Sequence, residues 1–324
     1  MKYMQNSLAD DGTPLLQQNG KSSLKCITSE ENDGDFYFPY GTLERDCYDN
    51  VAEAVIQNGV DKAWFSAFNM PSSAVRNVNC WLRRYDTSGI AVWNTYDNSK
   101  KRKGVVVTPR HVYQVAHYWV REGKKLYFID PDNNVIERTA QEVQRDGERD
   151  VAILLLDSDL PPSIKPIRLF DVDVVFDNDR PIKTPDVPSF FINQQHDVVC
   201  GMSYLKHMAT EHNACHMDWQ TFDPNTPAGR AYRTPKWLPS EFQYDVADGD
   251  SGSPVMTIVT NGVGIKELAL LGAMQAPGNT YTSLLCNNGV LDLREAIDRQ
   301  IARVDAKAGI STGYTAGRIT PKFN

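Results

Sequence analysis

The sequence places one serine in a setting that suits a nucleophile. Ser251 lies in residues 246–254, Val-Ala-Asp-Gly-Asp-Ser-Gly-Ser-Pro, between Gly249 and Gly252. Glycines here allow a sharp turn that exposes a hydroxyl beside backbone N–H groups, and a side chain at position 249 would block an approaching substrate carbonyl. The same run also fits an ordinary surface turn, so other segments must supply the remaining chemistry.

A serine hydroxyl is a weak nucleophile at neutral pH and needs a base, together with a group that orients the base. Two histidines, His111 and His117, follow the apolar residues 105–107. Asp150 stands where the charged residues 145–149 change to the apolar residues 151–156. This change predicts that the carboxylate of Asp150 lies at the start of a buried strand. The alternative is that Asp150 is one more surface charge in the charged run.

Three segments together resemble those of the trypsin/chymotrypsin-like serine peptidases. Residues 249–254, Gly-Asp-Ser-Gly-Ser-Pro, resemble that family's Gly-Asp-Ser-Gly-Gly-Pro loop. Residues 104–118 resemble its strand, turn, strand and Ala-Ala-His-Cys segment, and residues 149–156 resemble its Asp-Ile-Ala-Leu-Leu segment. The order His, Asp, Ser also agrees with the family, and the general likeness covers residues 85–305.

The resemblance implies a role for each residue of a triad. Ser251 would be the nucleophile, His117 the general base and then acid, and Asp150 the group that orients His117. The backbone N–H groups of Gly249 and Ser251 would form the oxyanion hole. Asp250 would have to find a partner within the chain, because no activation site of the animal type precedes it.

The choice of base has an alternative in the sequence. Residues 106–111, Val-Val-Thr-Pro-Arg-His, also align with the family's Val-Val-Thr-Ala-Ala-His, which would make His111 the base. We prefer His117 because the dipeptide Ala-His at 116–117 falls where the family has it. His111 is then expected to be a structural residue at a turn.

The resemblance also implies a pocket for the side chain that precedes the cleaved bond. Asp245, six residues before Ser251, would lie at the base of the pocket and favour Arg or Lys, with Val246 beside it. Ala276, Pro277 and Gly278 would form the pocket wall. Asp245 as a solvated loop acid is the alternative.

The fold implied by the resemblance is mainly β, with two antiparallel six-stranded barrels of the chymotrypsin type, an N-terminal extension containing a helix, and a C-terminal helix. The predicted divisions are 1–84 for the extension, either an accessory element or a pro-segment, 85–170 and 171–305 for the two barrels, and 306–324 for a tail. Apolar spacing predicts helices at 43–58 and 291–304. Short apolar runs between turn residues predict strands at 89–93, 105–107, 125–129, 135–138, 151–156, 189–192, 197–200, 255–259 and 268–272.

Composition limits the classes of partner. A net charge of −7 over 324 residues gives no basic excess for nucleic acid, and the basic residues 100–103 fit a solvated hairpin tip. No apolar run is long enough to cross a bilayer and no signal peptide is visible, so we expect secretion only if a signal was removed. The six cysteines show no close pairing pattern, which favours reduced thiols.

No cofactor is expected. The cluster of His207, His212, Cys215 and His216 matches no common zinc spacing and is predicted to lie in a solvated loop, so no metal site is assigned.

The sequence therefore predicts a serine endopeptidase that cleaves a polypeptide through an acyl-enzyme intermediate. The alternatives are a catalytically silent binding module of the same fold and a structural or assembly protein that cleaves itself.

Overall fold

The computed structural model describes residues 41–59, 61–99, 101–102, 104–147, 150–171, 175–177, 180–183, 187–193, 199–204, 207–209, 215–218, 249–274, 281–284 and 293–323. Within these residues the chain is mainly β, as the sequence predicts. The two α-helices are α1 (Leu43–Asn58) and α2 (Leu293–Lys307). The strands are β1 (Phe65–Ala67), β2 (Val75–Arg76), β3 (Trp93–Asn94), β4 (Val105–Thr108), β5 (His111–Val115), β6 (Lys125–Ile129), β7 (Val135–Asp146), β8 (Val151–Leu156), β9 (Arg168–Phe170), β10 (Val175–Asp177), β11 (Arg180–Lys183), β12 (Pro188–Ile192), β13 (Val199–Tyr204), β14 (His207–Ala209), β15 (Cys215–Asp218), β16 (Pro254–Thr260), β17 (Lys266–Met274), β18 (Tyr281–Leu284) and β19 (Arg318–Ile319).

The first sheet has six antiparallel strands in the order β3, β6, β7, β8, β5, β4. The segment that leads into β3 joins the two ends of this order, because Trp93 pairs with Tyr127 of β6 while Ile90 forms a bridge to Val105 of β4. Gly89 makes this path possible, since a Cβ atom there would lie 2.1 Å from the carbonyl oxygen of Lys165. The sheet is therefore curled, because the short segment from Ile90 to Trp93 reaches both of its ends.

Both faces of the first sheet are covered along β4, β5 and β8, which explains the continuous apolar runs at 105–107 and 151–156. All six residues of β8 are buried, and alternate residues point to opposite faces because the side-chain period of a strand is two. One face forms an inner cluster that includes Val106, Val112, Leu126, Phe128, Leu154 and Leu156. The other face joins a larger cluster shared with the second sheet and the helices, which includes Val105, Val107, Ile153 and Leu155.

The second sheet follows the order β13, β12, β16, β17, β18, β15, β14, and β9 lies parallel to both β17 and β19. Within it, β16 lies between β12 and β17, and all seven of its residues are buried. Residues predicted as a tail, 306–324, contribute the end of α2 and the strand β19, so this segment packs on the second sheet. His207, Cys215 and His216 lie on the paired strands β14 and β15 where a loop was expected.

Helix α1 of the N-terminal extension is attached to the second sheet. Thr42 caps the helix by accepting a hydrogen bond from the backbone N–H of Arg45 at 3.3 Å. Thr260 at the end of β16 donates its backbone N–H to Asp46 at 2.9 Å and its hydroxyl to the same carboxylate at 2.8 Å. Val51 and Val55 belong to the larger apolar cluster, so the extension contributes to the same hydrophobic core as the two sheets.

No helix within the described ranges is long and apolar enough to cross a membrane.

Trp81 in the extension should contribute strongly to stability. Its side chain is fully buried and meets Phe190 of β12 edge to face, with the ring centroids 4.9 Å apart. Trp81→Ala should lower the free energy of unfolding by about 3–5 kcal/mol, because it removes a large buried ring and leaves a cavity. Denaturant unfolding measures the change, and Val78→Ala, at a side chain that is 74% exposed, is the control. A loss below about 1 kcal/mol for Trp81→Ala would show that the extension docks without supporting the fold.

Candidate active site

Strands β5 and β8 carry His117 and Asp150 to the same rim of the first sheet. The two strands are antiparallel, and Val115 at the end of β5 pairs with Val151 at the start of β8. His117 follows β5 by two residues and Asp150 directly precedes β8. The turn at Asp150 has a φ of 53°, a left-handed conformation that aspartate tolerates better than most residues.

Asp150 holds His117 through two contacts. One carboxylate oxygen accepts the backbone N–H of His117 at 2.8 Å, and the other lies 2.7 Å from the ring Nδ1. A carboxylate only accepts, so Nδ1 carries the ring proton when the imidazole is neutral. Nε2 has no partner among the described residues, and the side chain is 46% exposed. The imidazole is thus held in the tautomer in which Nε2 can accept a proton.

His111 is in a different setting at the other end of β5. It is fully buried, with Nδ1 2.7 Å from the hydroxyl of Thr108 and Nε2 3.0 Å from Asp305 of α2. The Thr108 oxygen accepts the backbone N–H groups of Arg110 and His111, so its own proton goes to Nδ1 of His111. Both ring nitrogens therefore have partners, and the contact of Nε2 with Asp305 attaches α2 to the first sheet.

The buried contact of His111 with Asp305 predicts a loss of stability in acid. Burial lowers the pKa of His111, although Asp305 acts against this shift. Burial would raise the pKa of Asp305, but hydrogen bonds from Thr312 and His111 outweigh burial and lower it. Both folded pKa values lie below those of the unfolded chain, so the stability from His111 declines as pH falls below about 6.5, and that from Asp305 declines below about 3.9.

We expect the free energy of unfolding to fall between pH 7 and pH 5, and His111→Asn to make this fall shallower. Urea unfolding at several pH values measures both slopes. The same slope in the variant and in the original chain would show that His111 is not responsible for the acid sensitivity.

The loop around Ser251 is a tight turn that precedes β16. Gly249 and Gly252 have φ values of 97° and 85°, which only glycine adopts without strain, so both glycines of the sequence prediction are needed. Gly252 donates its N–H to the carbonyl of Met274 at 2.7 Å, which anchors the turn to the end of β17. Ser251 is 7% exposed, and the N–H of Gly249 has no partner among the described residues. That N–H can therefore be given to an oxyanion.

Asp250 has a partner that sequence reasoning did not find. Asn193, directly after β12, donates its side-chain amide to Asp250 at 2.5 Å, and both side chains are fully buried. The two residues are separated by 57 positions, and no motif surrounds Asn193. Strand pairing brings them together, because β12 lies beside β16 in the second sheet.

Tyr118 directly follows His117 and is affected by the charge of Asp250. Burial raises the pKa of Tyr118, and the negative charge of Asp250 is among the weaker causes that raise it further. The remaining predicted site residues, Asp245, Val246, Ala276, Pro277 and Gly278, lie outside the described residues.

The loop that bears His117 is held by two arginines. Arg102 places its guanidinium 3.8 Å from the ring centre of Tyr118 and pairs with Asp97 at 3.3 Å. Arg145 donates to the carbonyl of Ala116 at 3.0 Å. Arg102 belongs to the basic run predicted to be a solvated hairpin tip, but it packs against the rings and supports the loop.

The described residues contain no cluster of ligands suited to a metal ion. Two cysteines, Cys47 and Cys80, are free thiols in the core, and burial raises the pKa of Cys80 to about 11. Neither thiol is suited to act as a nucleophile, because the reactive form is the thiolate.

No known protein-family model matches the chain, and no curated protein sequence matches it. Among solved structures, the chain is similar to neuropsin, a serine protease expressed in the limbic system of mouse brain, with 13% identity and a TM-score of 0.38 over 61% of this chain and 89% of that chain. It is also similar to human heparin binding protein, with 12% identity and a TM-score of 0.37 over 62% of this chain and 87% of that chain. The sequence identity is low in both cases, so the site residues are assigned from their own geometry.

Proposed function

We propose that this chain is a serine endopeptidase with Ser251, His117 and Asp150 as its triad. The observation that carries the proposal is the contact between Asp150 and His117, which fixes the ring at 2.7 Å and the backbone at 2.8 Å while Nε2 stays available. A general base needs a fixed ring and a fixed tautomer, and this double contact supplies both. The glycine turn would supply Ser251 and the N–H of Gly249, which has no partner among the described residues.

In the proposed reaction the hydroxyl oxygen of Ser251 attacks the peptide carbonyl while its proton passes to Nε2 of His117. The carboxylate of Asp150 stabilises the resulting imidazolium, and the N–H groups of Gly249 and Ser251 hold the oxyanion. The C–N bond then breaks as His117 returns the proton to the leaving amine. Water, activated by the same imidazole, hydrolyses the acyl-enzyme and regenerates Ser251.

The proposal also includes the finer architecture. The six strands of the first sheet would correspond to one six-stranded barrel, and part of the nine-stranded second sheet would correspond to the other, with a polypeptide substrate bound in the cleft between them. The joining of β4 and β6 through the segment at Ile90 and Trp93 supports closure of the first.

Labelling with a fluorophosphonate probe tests the proposal, because the probe reacts covalently with a serine only when the base and oxyanion hole are assembled. We expect stoichiometric labelling of the full chain and none of Ser251→Ala. A silent binding module would stay unlabelled but still bind peptide, and a protein that cleaves itself once would give a single turnover without hydrolysis of added peptide. Either result would contradict a peptidase that turns over.

We propose further that Asp245 makes the enzyme cleave after Arg or Lys. A carboxylate at the bottom of a desolvated pocket favours a cationic side chain and is left unpaired by an apolar one, at a cost of several kcal/mol. Matched peptides with Arg, Phe or Ala before the scissile bond should differ in kcat/KM by at least about a hundredfold in favour of Arg. Asp245→Ser should remove most of that preference. A preference for Phe or Ala that Asp245→Ser leaves unchanged would exclude Asp245 from the pocket.

A further inference from the structure

A cavity of about 570 Å³ lies on the extension side of the molecule and is lined by residues 64, 76–78, 80, 82–87 and 131. We call it the Arg76 cavity. None of the proposed catalytic residues lines it. Its size falls within the range of about 300–1,000 Å³ typical of small-molecule sites. It is therefore a candidate binding site distinct from the peptidase site.

The cation at this cavity is surrounded by neutral acceptors. Arg76 donates to the hydroxyl of Thr87 at 2.9 Å, to the carbonyl oxygen of Asp130 at 3.0 Å and to the carbonyl oxygen of Ile129. Its guanidinium also lies 5.9 Å from the ring centre of Trp64. No carboxylate among the described residues forms an ion pair with it.

Two carboxylates near Arg76 have other partners. Asp130 accepts the backbone N–H groups of Asp132 and Asn134 and the side-chain amide of Asn134, which uses both of its oxygens in its own turn. Asp86 accepts the backbone N–H of Ser88 at 2.8 Å. Burial lowers the pKa of Arg76, and these two carboxylates only partly oppose the shift. Arg76 is half-buried, and a partly desolvated cation that forms no ion pair with the described residues is unfavourable, so a bound anion would reduce that cost.

Two further arginines that line the cavity also donate to neutral acceptors. Arg83 donates to the carbonyl oxygen of Val78 at 3.0 Å and Arg84 to the side-chain carbonyl of Gln57 at 2.5 Å, so both guanidinium groups also face neutral acceptors. Three arginines thus line the cavity against the single carboxylate of Asp86, in a chain whose net charge is −7. The positive charge is local and contrasts with the rest of the molecule.

The walls of the cavity are mostly apolar. Trp64 and Leu82 in its lining are almost fully buried, whereas Tyr85 is half-buried and Val78 is 74% exposed. A strongly hydrated ion such as phosphate gains little from apolar walls, whereas an apolar body does. We propose that the Arg76 cavity binds a small amphipathic carboxylate, with its anionic group at the guanidinium of Arg76 and its apolar body against Val78 and Tyr85.

Calorimetric titration of the full chain with octanoate tests the proposal, with octanamide as a neutral probe of the same length and inorganic phosphate as an anion without an apolar body. We expect saturable binding of octanoate, binding of octanamide weaker by at least about tenfold, and no displacement of octanoate by phosphate. Absence of saturable octanoate binding, or equal affinity for octanamide, would overturn the proposal. Displacement by phosphate would also overturn it, because the site would then recognise charge alone.

Variants at exposed positions locate the binding without disturbing the core, since Arg76 itself supports the fold. Val78→Glu places a carboxylate at the mouth of the cavity and should weaken octanoate binding by about tenfold through charge repulsion. Val263→Glu makes the same change at a side chain that is 82% exposed in a hairpin outside the cavity, and it should have no effect. Equal effects of the two substitutions would show that octanoate binds elsewhere.

Discussion

His117→Ala and Ser251→Ala should each lower kcat for peptide hydrolysis by about a million-fold, while the chain keeps its fold. Each removes one partner of a unit that works only when complete. Nε2 of His117 has no partner in the part of the chain that the structure describes, whereas both ring nitrogens of His111 are used by Thr108 and Asp305. Peptide hydrolysis measured beside thermal unfolding separates lost chemistry from lost structure.

His111→Asn is the matched control for the histidine. We expect it to lower stability but to keep kcat within about tenfold in the fraction that remains folded. If His111→Asn abolished turnover in folded protein while His117→Ala retained it, the proposed base would be wrong.

Asp150→Asn should lower kcat by about ten thousand-fold, because an amide at this position no longer stabilises the imidazolium and favours the wrong tautomer. Asp157→Asn is its matched control. Asp157 directly follows β8 as Asp150 directly precedes it, and Asp157 is exposed. Similar losses for both substitutions would indicate a general effect on β8 and contradict a specific role for Asp150.

The second large effect is expected at Asn193. This residue does not belong to the proposed triad, but its amide holds Asp250 at 2.5 Å in a fully buried setting, and Asp250 directly precedes Ser251. Asn193→Asp would set two buried carboxylates against each other, so one must stay protonated or the turn must move. A displaced turn moves the N–H groups of Gly249 and Ser251 away from the oxyanion, and loss of such a donor lowers kcat by about a hundred- to a thousandfold.

An exchange of the two side chains distinguishes a positioning role from a merely structural one. The double variant with Asn193→Asp and Asp250→Asn restores one amide and one carboxylate, so it should recover part of the kcat that each single change removes. KM should change less than kcat, because the pair acts on the turn and not on the bound peptide. Additive losses in the double variant would show that the hydrogen bond does not position the Ser251 turn.

The sequence by itself determined the local features of this protein. Residues 125–129 and 151–156 predicted strands with the bounds that β6 and β8 have, and the unbroken apolar run of β8 reflects its burial on both faces. The spacing of apolar residues likewise placed a helix at 43–58, where α1 lies. Gly249 and Gly252 marked a turn that requires positive φ values. Each of these features depends on neighbours within a few residues, which is the range over which periodicity and glycine act.

Only the tertiary structure decided which polar side chains pair with each other and which terminal segments pack on the two sheets. The sequence favoured His117 as the base but left His111 as an alternative, and the two differ in the structure because Asp305, 194 residues away from His111, occupies one of its ring nitrogens. Asn193 reaches Asp250 only because β12 lies beside β16. The segment predicted as a tail and the N-terminal extension both pack on the second sheet. A hydrogen bond between distant residues leaves no periodic trace in the sequence, since its partners are set by how the strands and helices pack.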